Sequence, residues 1–285
     1  MKQFIFEPAS FRQAKQWVKQ KKVEHILIPV FDFSLSYRKG YTLKQFQYLI
    51  NQKGTMKISI NMMRLFHEND LERIVSFFQQ IHIEDITYIF YSDLGLYQML
   101  VAQGYQDKLV YDAHTYLTNA NDVTEYANLN QNVVVSNQIS IDELKILLDN
   151  LSRSVMIHGF GQSIIFYSRR KLLTRYFEYR HLKQRTEQMT YTLQEEFRTE
   201  QYPIVEKTFG TLIYEKGFYY LFEELDQLSH VSHILIHCGT LNEKYFEKVV
   251  DSYLTNQLEL LQNLPIDLSK GIMKEHSVLH KTKEN

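Results

Sequence analysis

The chain has 285 residues, 44% hydrophobic and 14% aromatic, enough apolar material for one large domain or two small ones. Its 32 Lys and Arg nearly balance 33 Asp and Glu, so no global field draws it to nucleic acid or membrane, and any such affinity must be local. Cys238 is the only cysteine, which excludes an intramolecular disulfide and a cysteine-ligated zinc or iron–sulfur cluster within one chain, and fits a reducing compartment. The first residues, MKQFIFEPASF, lack the apolar core of a secretory leader. No stretch approaches the ~18 consecutive apolar residues of a spanning helix, so a cytoplasmic protein without membrane association is expected.

Short apolar runs alternate with segments of helical period. Phe4-Ile5-Phe6 is the first run, and Ser10 is placed to cap a helix over 11–22 with Phe11, Ala14, Trp17 and Val18 on one face. His25–Val30 is the second run, followed by a helix from Thr42. Lys57–Asn61 is the third, with Asn69 and Asp70 opening the next helix. Ile86–Tyr91 precedes a helix over Asp93–Ala102, and Lys108–His114 precedes a short helix near 121–128. Asn132–Ser136 is followed by a helix capped by Ser140. Ser154–His158 is the seventh run and Ser232–His237 the eighth, the latter followed by a helix over Asn242–Leu261.

About eight strand–helix units with uniformly apolar strands imply a parallel sheet buried on both faces. The expected fold is α/β, a (β/α)8 TIM-like barrel, in a single domain over residues 1–262. A doubly wound open sheet is the competing arrangement, but no Gly-x-Gly-x-x-Gly follows the first run. Residues 186–214 show β-like alternation and are read as a β-hairpin insertion before the last strand. Residues 263–285 are read as a polar C-terminal tail.

In such a barrel, chemistry sits at the C-terminal ends of the strands. Those ends carry Glu7, Asn61, Ser92 and Asp93, Asp112 and His114, Asn137 and Gln138, His158, and His237 with Cys238. Polar residues there also cap the following helices, as Asp93 and Asn69 are placed to do. Three histidines can hold zinc with one position open. His114, His158 and His237 come from three different strands, however, without a helical His-x-x-x-His spacing, so no metal is assigned. Cys238 and His237 are adjacent and face apart in a strand. Catalytic residues stay unknown, with His114, His158 and His237 as the only candidates.

The stretch after the seventh run is dense in cations, with Arg169, Arg170, Lys171, Arg175, Arg180, Lys183 and Arg185. Tyr167, Tyr176, Phe177 and Tyr179 are interleaved. Phosphate neutralisation combined with base stacking needs that mixture. A solvated helix with Leu172, Leu173, Tyr176 and Phe177 turned to the core accounts for the same pattern.

Tyr167-Ser168-Arg169-Arg170-Lys171-Leu172-Leu173-Thr174-Arg175-Tyr176 resembles the signature of the collagenase-like peptidases, peptidase family U, number thirty-two. Tyr191-Thr192-Leu193-Gln194-Glu195-Glu196-Phe197-Arg198 is similar to a second family motif, and Phe33-Ser34-Leu35 to a third. Two signature cysteines are replaced by Ile164 and Lys171, and two more expected before Tyr191 are absent. The resemblance implies several activities. Some members are called proteases, whereas others serve RNA hydroxylation, including 5-hydroxylation of the tRNA wobble uridine, or ubiquinone hydroxylation. This chain resembles the smaller of two paralogues implicated in the tRNA reaction.

The expected function is therefore a component of wobble-uridine hydroxylation. A collagenase-like protease and a degenerate, non-catalytic binding subunit are the alternatives. Substrate binding is assigned to Asn61, Asp112, Asn137, Ser168, Arg169, Arg170, Arg175 and Tyr176. The expected partners are tRNA and a longer cysteine-bearing paralogue, with self-association also open. No cofactor is identifiable.

Overall fold

A computed structural model describes residues 2–114, 116–129, 132–183, 190–197 and 199–271. In chain order the first half runs β1 (Gln3–Glu7), α1 (Phe11–Gln20), β2 (His25–Pro29), α2 (Leu43–Gln52), β3 (Lys57–Met62), α3 (Glu68–Gln79), β4 (Ile89–Tyr91), α4 (Leu94–Ala102) and β5 (Leu109–Tyr111). Then come α5 (Ala120–Leu129), β6 (Asn132–Val135), α6 (Ile141–Asp149) and β7 (Val155–Gly161). An inserted group follows: β8 (Ile164–Ser168), α7 (Leu172–Tyr179), β9 (Thr190–Gln194), β10 (Gln201–Lys207) and β11 (Gly210–Tyr214). The chain continues through β12 (Phe218–Tyr220), β13 (Val231–His237), α8 (Glu243–Thr255), α9 (Leu258–Gln262) and β14 (Leu268–Ser269).

The strands β1 to β7 pair in parallel in sequence order. β13 closes the ring by pairing in parallel with both β1 and β7, making the expected eight-stranded barrel. The helix starts follow local chemistry. Ser10, Asp93 and Asn242 each accept a backbone N–H with the side chain, and Thr42 and Ser140 form reciprocal capping boxes with Gln45 and Glu143. The third helix begins earlier than Asn69, with His67 at the N-cap, because the Asp70 carboxylate accepts the His67 N–H from within the first turn. The helix expected over Asn242–Leu261 is two helices, broken where Asn256 takes a left-handed conformation at φ 54°.

The insertion is larger than the hairpin expected over 186–214. It is an antiparallel sheet in the order β8-β11-β10-β9, and so begins at Ile164. The sequence analysis places no strand between the seventh run and the cation-dense helix. Instead the barrel strand ends at Gly161, and Ile164-Ile165-Phe166-Tyr167, β-branched and aromatic, pairs with β11. The helix that remains is short, and the sheet caps it. Thr211 Oγ1 accepts the Leu172 N–H at 3.0 Å, and a Glu206 carboxylate oxygen accepts that of Thr174 at 3.1 Å. Residues 184–189 and Arg198 lie outside the described residues. Within the expected polar tail, β14 pairs with β12, and residues from 272 onward lie outside the described ones.

Two cores result. The outer one packs helices on the barrel, with Trp17 and Phe246 fully buried between α1, α8 and the strands. The inner one joins Ile5, Leu27, Phe90, Val110, Val134, Met156 and Leu235, one from each of seven barrel strands. Val205, Leu212 and Tyr214 of the insertion belong to this same inner core, so the inserted sheet plugs the C-terminal mouth.

Near the opposite end, His25 and His233 are buried side by side with Tyr88, their ring centroids 5.6–5.9 Å apart, and Ser59 Oγ lies 2.7 Å from His25 Nε2. Burial first, then the charges of His233 and Lys57, pushes His25 down to about 3. Burial and Lys57 push His233 down to about 4. Below the ordinary imidazole value near 6.5 the unfolded chain takes up protons that the folded barrel refuses. Stability is therefore expected to fall as pH drops from about 6.5 to 4, by at most about 1.4 kcal/mol per unit for each histidine. Urea titrations across this range check it: His233→Gln should flatten the slope, and identical slopes in the two proteins would count against the assignment.

Candidate functional site at the barrel mouth

In a strand, side chains two residues apart share a face. The inner-core residues Ile5, Val110, Met156 and Leu235 are thus each followed, two positions on, by a polar group at the mouth: Glu7, Asp112, His158 and His237. Register sets Glu7 directly opposite His237. Two glycines in β7 make room. A Cβ on Gly159 would lie 2.3 Å from Ile234 Cγ2, and one on Gly161, which has φ 149°, would lie 2.9 Å from His237 Cβ.

Two linked groups form the site. His237 Nδ1 donates to Glu7 Oε2 at 2.6 Å, and Ser36 Oγ donates to Glu7 Oε1 at 2.6 Å. Burial alone would lower the His237 imidazole, but the hydrogen bond and charge of Glu7, helped by Asp112, raise it. Beside this pair lies Asp112, fully buried, with Oδ1 accepting the His114 backbone N–H at 3.0 Å. His158 Nε2 is 3.6 Å and His114 Nδ1 3.8 Å from the same oxygen. Burial alone would raise the Asp112 carboxyl; the charges of His114 and His158, with the His114 backbone N–H, outweigh it and hold the group well below the ordinary carboxylate range. Burial lowers His114, and Asp112 only partly opposes it. The three imidazoles form a row, with ring centroids 5.9 Å apart for His114–His158 and 5.6 Å for His158–His237.

A pocket of about 50 Å³ opens above this row, lined by Glu7, His114, His158 and His237 together with Asn137, Ser163 and Tyr214, among others. The residues assigned from sequence to substrate binding divide into three groups. Asp112 sits beneath the row, and Asn137 lines the pocket, donating Nδ2 to Ser163 Oγ at 2.7 Å. Asn61 is fully buried and committed to backbone: its Oδ1 accepts from Leu35 and Met63, and its Nδ2 donates to the Leu35 carbonyl. It positions the loop that carries Ser36. Ser168, Arg169, Arg170, Arg175 and Tyr176 lie away from the imidazoles, at the end of β8 and on α7. Arg169 Nη1 donates to the Phe66 carbonyl at 2.8 Å, and Arg175 pairs with Glu178 at 2.9 Å on the surface.

Sequence reasoning placed Glu7 at a strand end without assigning it a role. Its two-residue spacing from Ile5 was the available signal. Ser36 and Tyr214 reach the site from a loop and from the insertion, where no local pattern announces them. Cys238 is buried in the outer core, and burial first, then Glu7, pushes its thiol up to about 12. Ser36 is bonded to a carboxylate rather than to an imidazole. Neither is arranged as an activated nucleophile.

Comparison with known proteins adds three findings. The model of the family described as Peptidase family U32 matches residues 16–276. The solved structure of the U32 peptidase Mk0906 aligns with a TM-score of 0.49 and 12% identity, covering 83% of this chain and 92% of that one. No curated protein matches.

The Glu7–His237 pair has a testable sign. Between the ordinary imidazole value and the raised one, the folded state keeps a proton that the unfolded chain releases, so the pair's contribution to stability is lost as pH rises through that window. In Glu7→Gln, the His237 titration followed by NMR is expected to drop below its wild-type midpoint, leaving burial as the dominant influence. An unmoved midpoint would show that Glu7 does not hold the proton on His237.

Proposed function

This chain belongs to peptidase family U32, and from that premise we propose that it serves the 5-hydroxylation of the tRNA wobble uridine in the cytoplasm, together with a longer cysteine-bearing paralogue. The observation that carries this reading is the exposed face built by the end of β8 and α7. Arg170, Lys171, Arg175, Arg180 and Lys183 are exposed there, with Tyr176 53% and Tyr179 81% accessible between them. Cations for phosphate and rings for bases are the two components of a single-stranded RNA platform. With a net charge of −1 over the whole chain, this is a local concentration of positive charge.

The face is joined to the pocket by one strand. Ile164, the first residue of β8, lines the pocket, and Ser168, the last, leads into Arg169. Five residues of strand span about 15 Å, so an RNA loop held on α7 can present a nucleotide toward the imidazole row. Proteolysis by covalent catalysis finds less support, because Cys238 is enclosed and Ser36 is bound to Glu7 among the described residues. No helix among the described residues is long and apolar enough to cross a membrane.

Deleting the gene and measuring 5-hydroxyuridine in bulk tRNA by mass spectrometry tests the reading directly; unchanged modification would sink it. In vitro, the triple variant Arg170→Glu, Lys171→Glu, Arg175→Glu is expected to weaken tRNA binding at least about tenfold at low salt and to shallow its salt dependence. Equal binding by both proteins would move RNA contact off this face.

A further inference from the structure

We propose that Asp112, His114 and His158 form a mononuclear site for a divalent first-row transition metal at the barrel mouth. One ligand atom from each lies within 4.8 Å of the others. Asp112 Oδ1 stands 3.6 Å from His158 Nε2 and 3.8 Å from His114 Nδ1. Both separations are too long for a hydrogen bond. They are close to the spacing of two donors on one ion, because bonds of about 2.0–2.2 Å set neighbouring ligand atoms about 3–3.5 Å apart. A small inward movement closes the set.

Three further features point the same way. Asp112 Oδ2 and His158 Nε2 are buried and have no hydrogen-bond partner, on side chains with 0% and 8% exposure. Proteins rarely leave such groups unmatched without a ligand or water to meet them. The chain also bends to bring His114 in. That residue sits in the left-handed region at φ 59°, and Ser136 Oγ ties its carbonyl at 2.7 Å. Non-glycine residues held in this conformation concentrate at functional sites. Finally, the His114 backbone N–H on Asp112 Oδ1 orients the carboxylate, as outer hydrogen bonds orient metal ligands elsewhere.

The donor chemistry selects the ion. Two imidazoles and one carboxylate suit zinc, iron(II), cobalt(II) or manganese(II), whereas calcium and magnesium favour all-oxygen sets. Three protein ligands leave coordination positions open toward the pocket. The third ligand is Asp112 rather than the third histidine of the strand ends, because the three donor atoms that come within 4.8 Å of one another belong to Asp112, His114 and His158. This departs from the sequence reading, which found no local ligand spacing. The set is assembled across strands, where spacing along the chain carries no signal.

The test uses the untagged full chain, stripped of metal and titrated with cobalt(II). One equivalent should bind, producing visible d–d bands, and zinc should displace it. Asp112→Asn and His158→Gln should each weaken cobalt binding at least about tenfold, while the exposed His82→Ala should not change it. Circular dichroism establishes that each variant is folded. Copper(II) bound to wild-type protein and probed by pulsed EPR should show two imidazole nitrogens, a readout that needs no variant. The proposal is overturned if the folded wild type binds no cobalt, if both variants bind it as tightly as wild type, or if the copper spectrum lacks imidazole coupling.

Discussion

The structure depends on the pairing of β13 with both β1 and β7. Those two contacts close the sheet, and their register fixes where every inward side chain lies. A slip of one residue would turn Leu235 out of the inner core and His237 out of the mouth together, because the strand period is two. Gly159 enforces the fit: only a residue without a Cβ lets Ile234 and Ile236 approach β7 at that point. The same contact that completes the barrel therefore sets Glu7 against His237 and His158 beside it.

The second constraint is the cover. A barrel mouth left open would expose the inner core, and the inserted sheet supplies Val205, Leu212 and Tyr214 to close it. Polar contacts fix its docking as well. Lys207 Nζ donates to the Tyr37 carbonyl at 2.8 Å, Tyr37 and Thr190 share a hydrogen bond of 3.0 Å, and Arg169 reaches the Phe66 carbonyl. Beneath it the buried Arg64 guanidinium pairs with Asp70, donates to the Asp32 carbonyl at 2.6 Å, and lies against Phe66 and Phe209. A buried ion pair of this kind adds little net stability, and breaking it by removing one partner is costly, so it acts as a fixed locator for the loops that meet there.

The barrel was legible because its signals are local. Eight apolar runs, caps such as Ser10, Thr42 and Ser140, and the helical stripes all act within a few residues, and the eight runs became the eight barrel strands. The insertion was only half legible. Ile164–Tyr167 carries β-type residues but directly follows another β run, and only pairing with β11 shows that the two are separate strands. The site was legible as a set of strand ends but not as a constellation. Which histidine meets which carboxylate depends on strand order and bulges, such as the register shift between Leu235 and Ile236, which no spacing along the chain encodes. Asn61 looked like a pocket residue for the same reason. Its position at a strand end was right, but its partners are backbone groups of a loop that the sequence does not place.

Family membership settles the fold more firmly than the chemistry, and two positions of the motif stretch show how the local surroundings differ. Ile164 contributes an apolar side chain to the pocket wall, and Lys171 is an exposed cation at the N-terminus of α7. The oxygen and imidazole donors at the strand ends include groups that the barrel buries with unmatched polar atoms. Holding Asp112 and His158 in this state works against stability unless something occupies the space between them. The arrangement makes physical sense as a cradle whose energetic deficit in the free chain is removed by a bound partner.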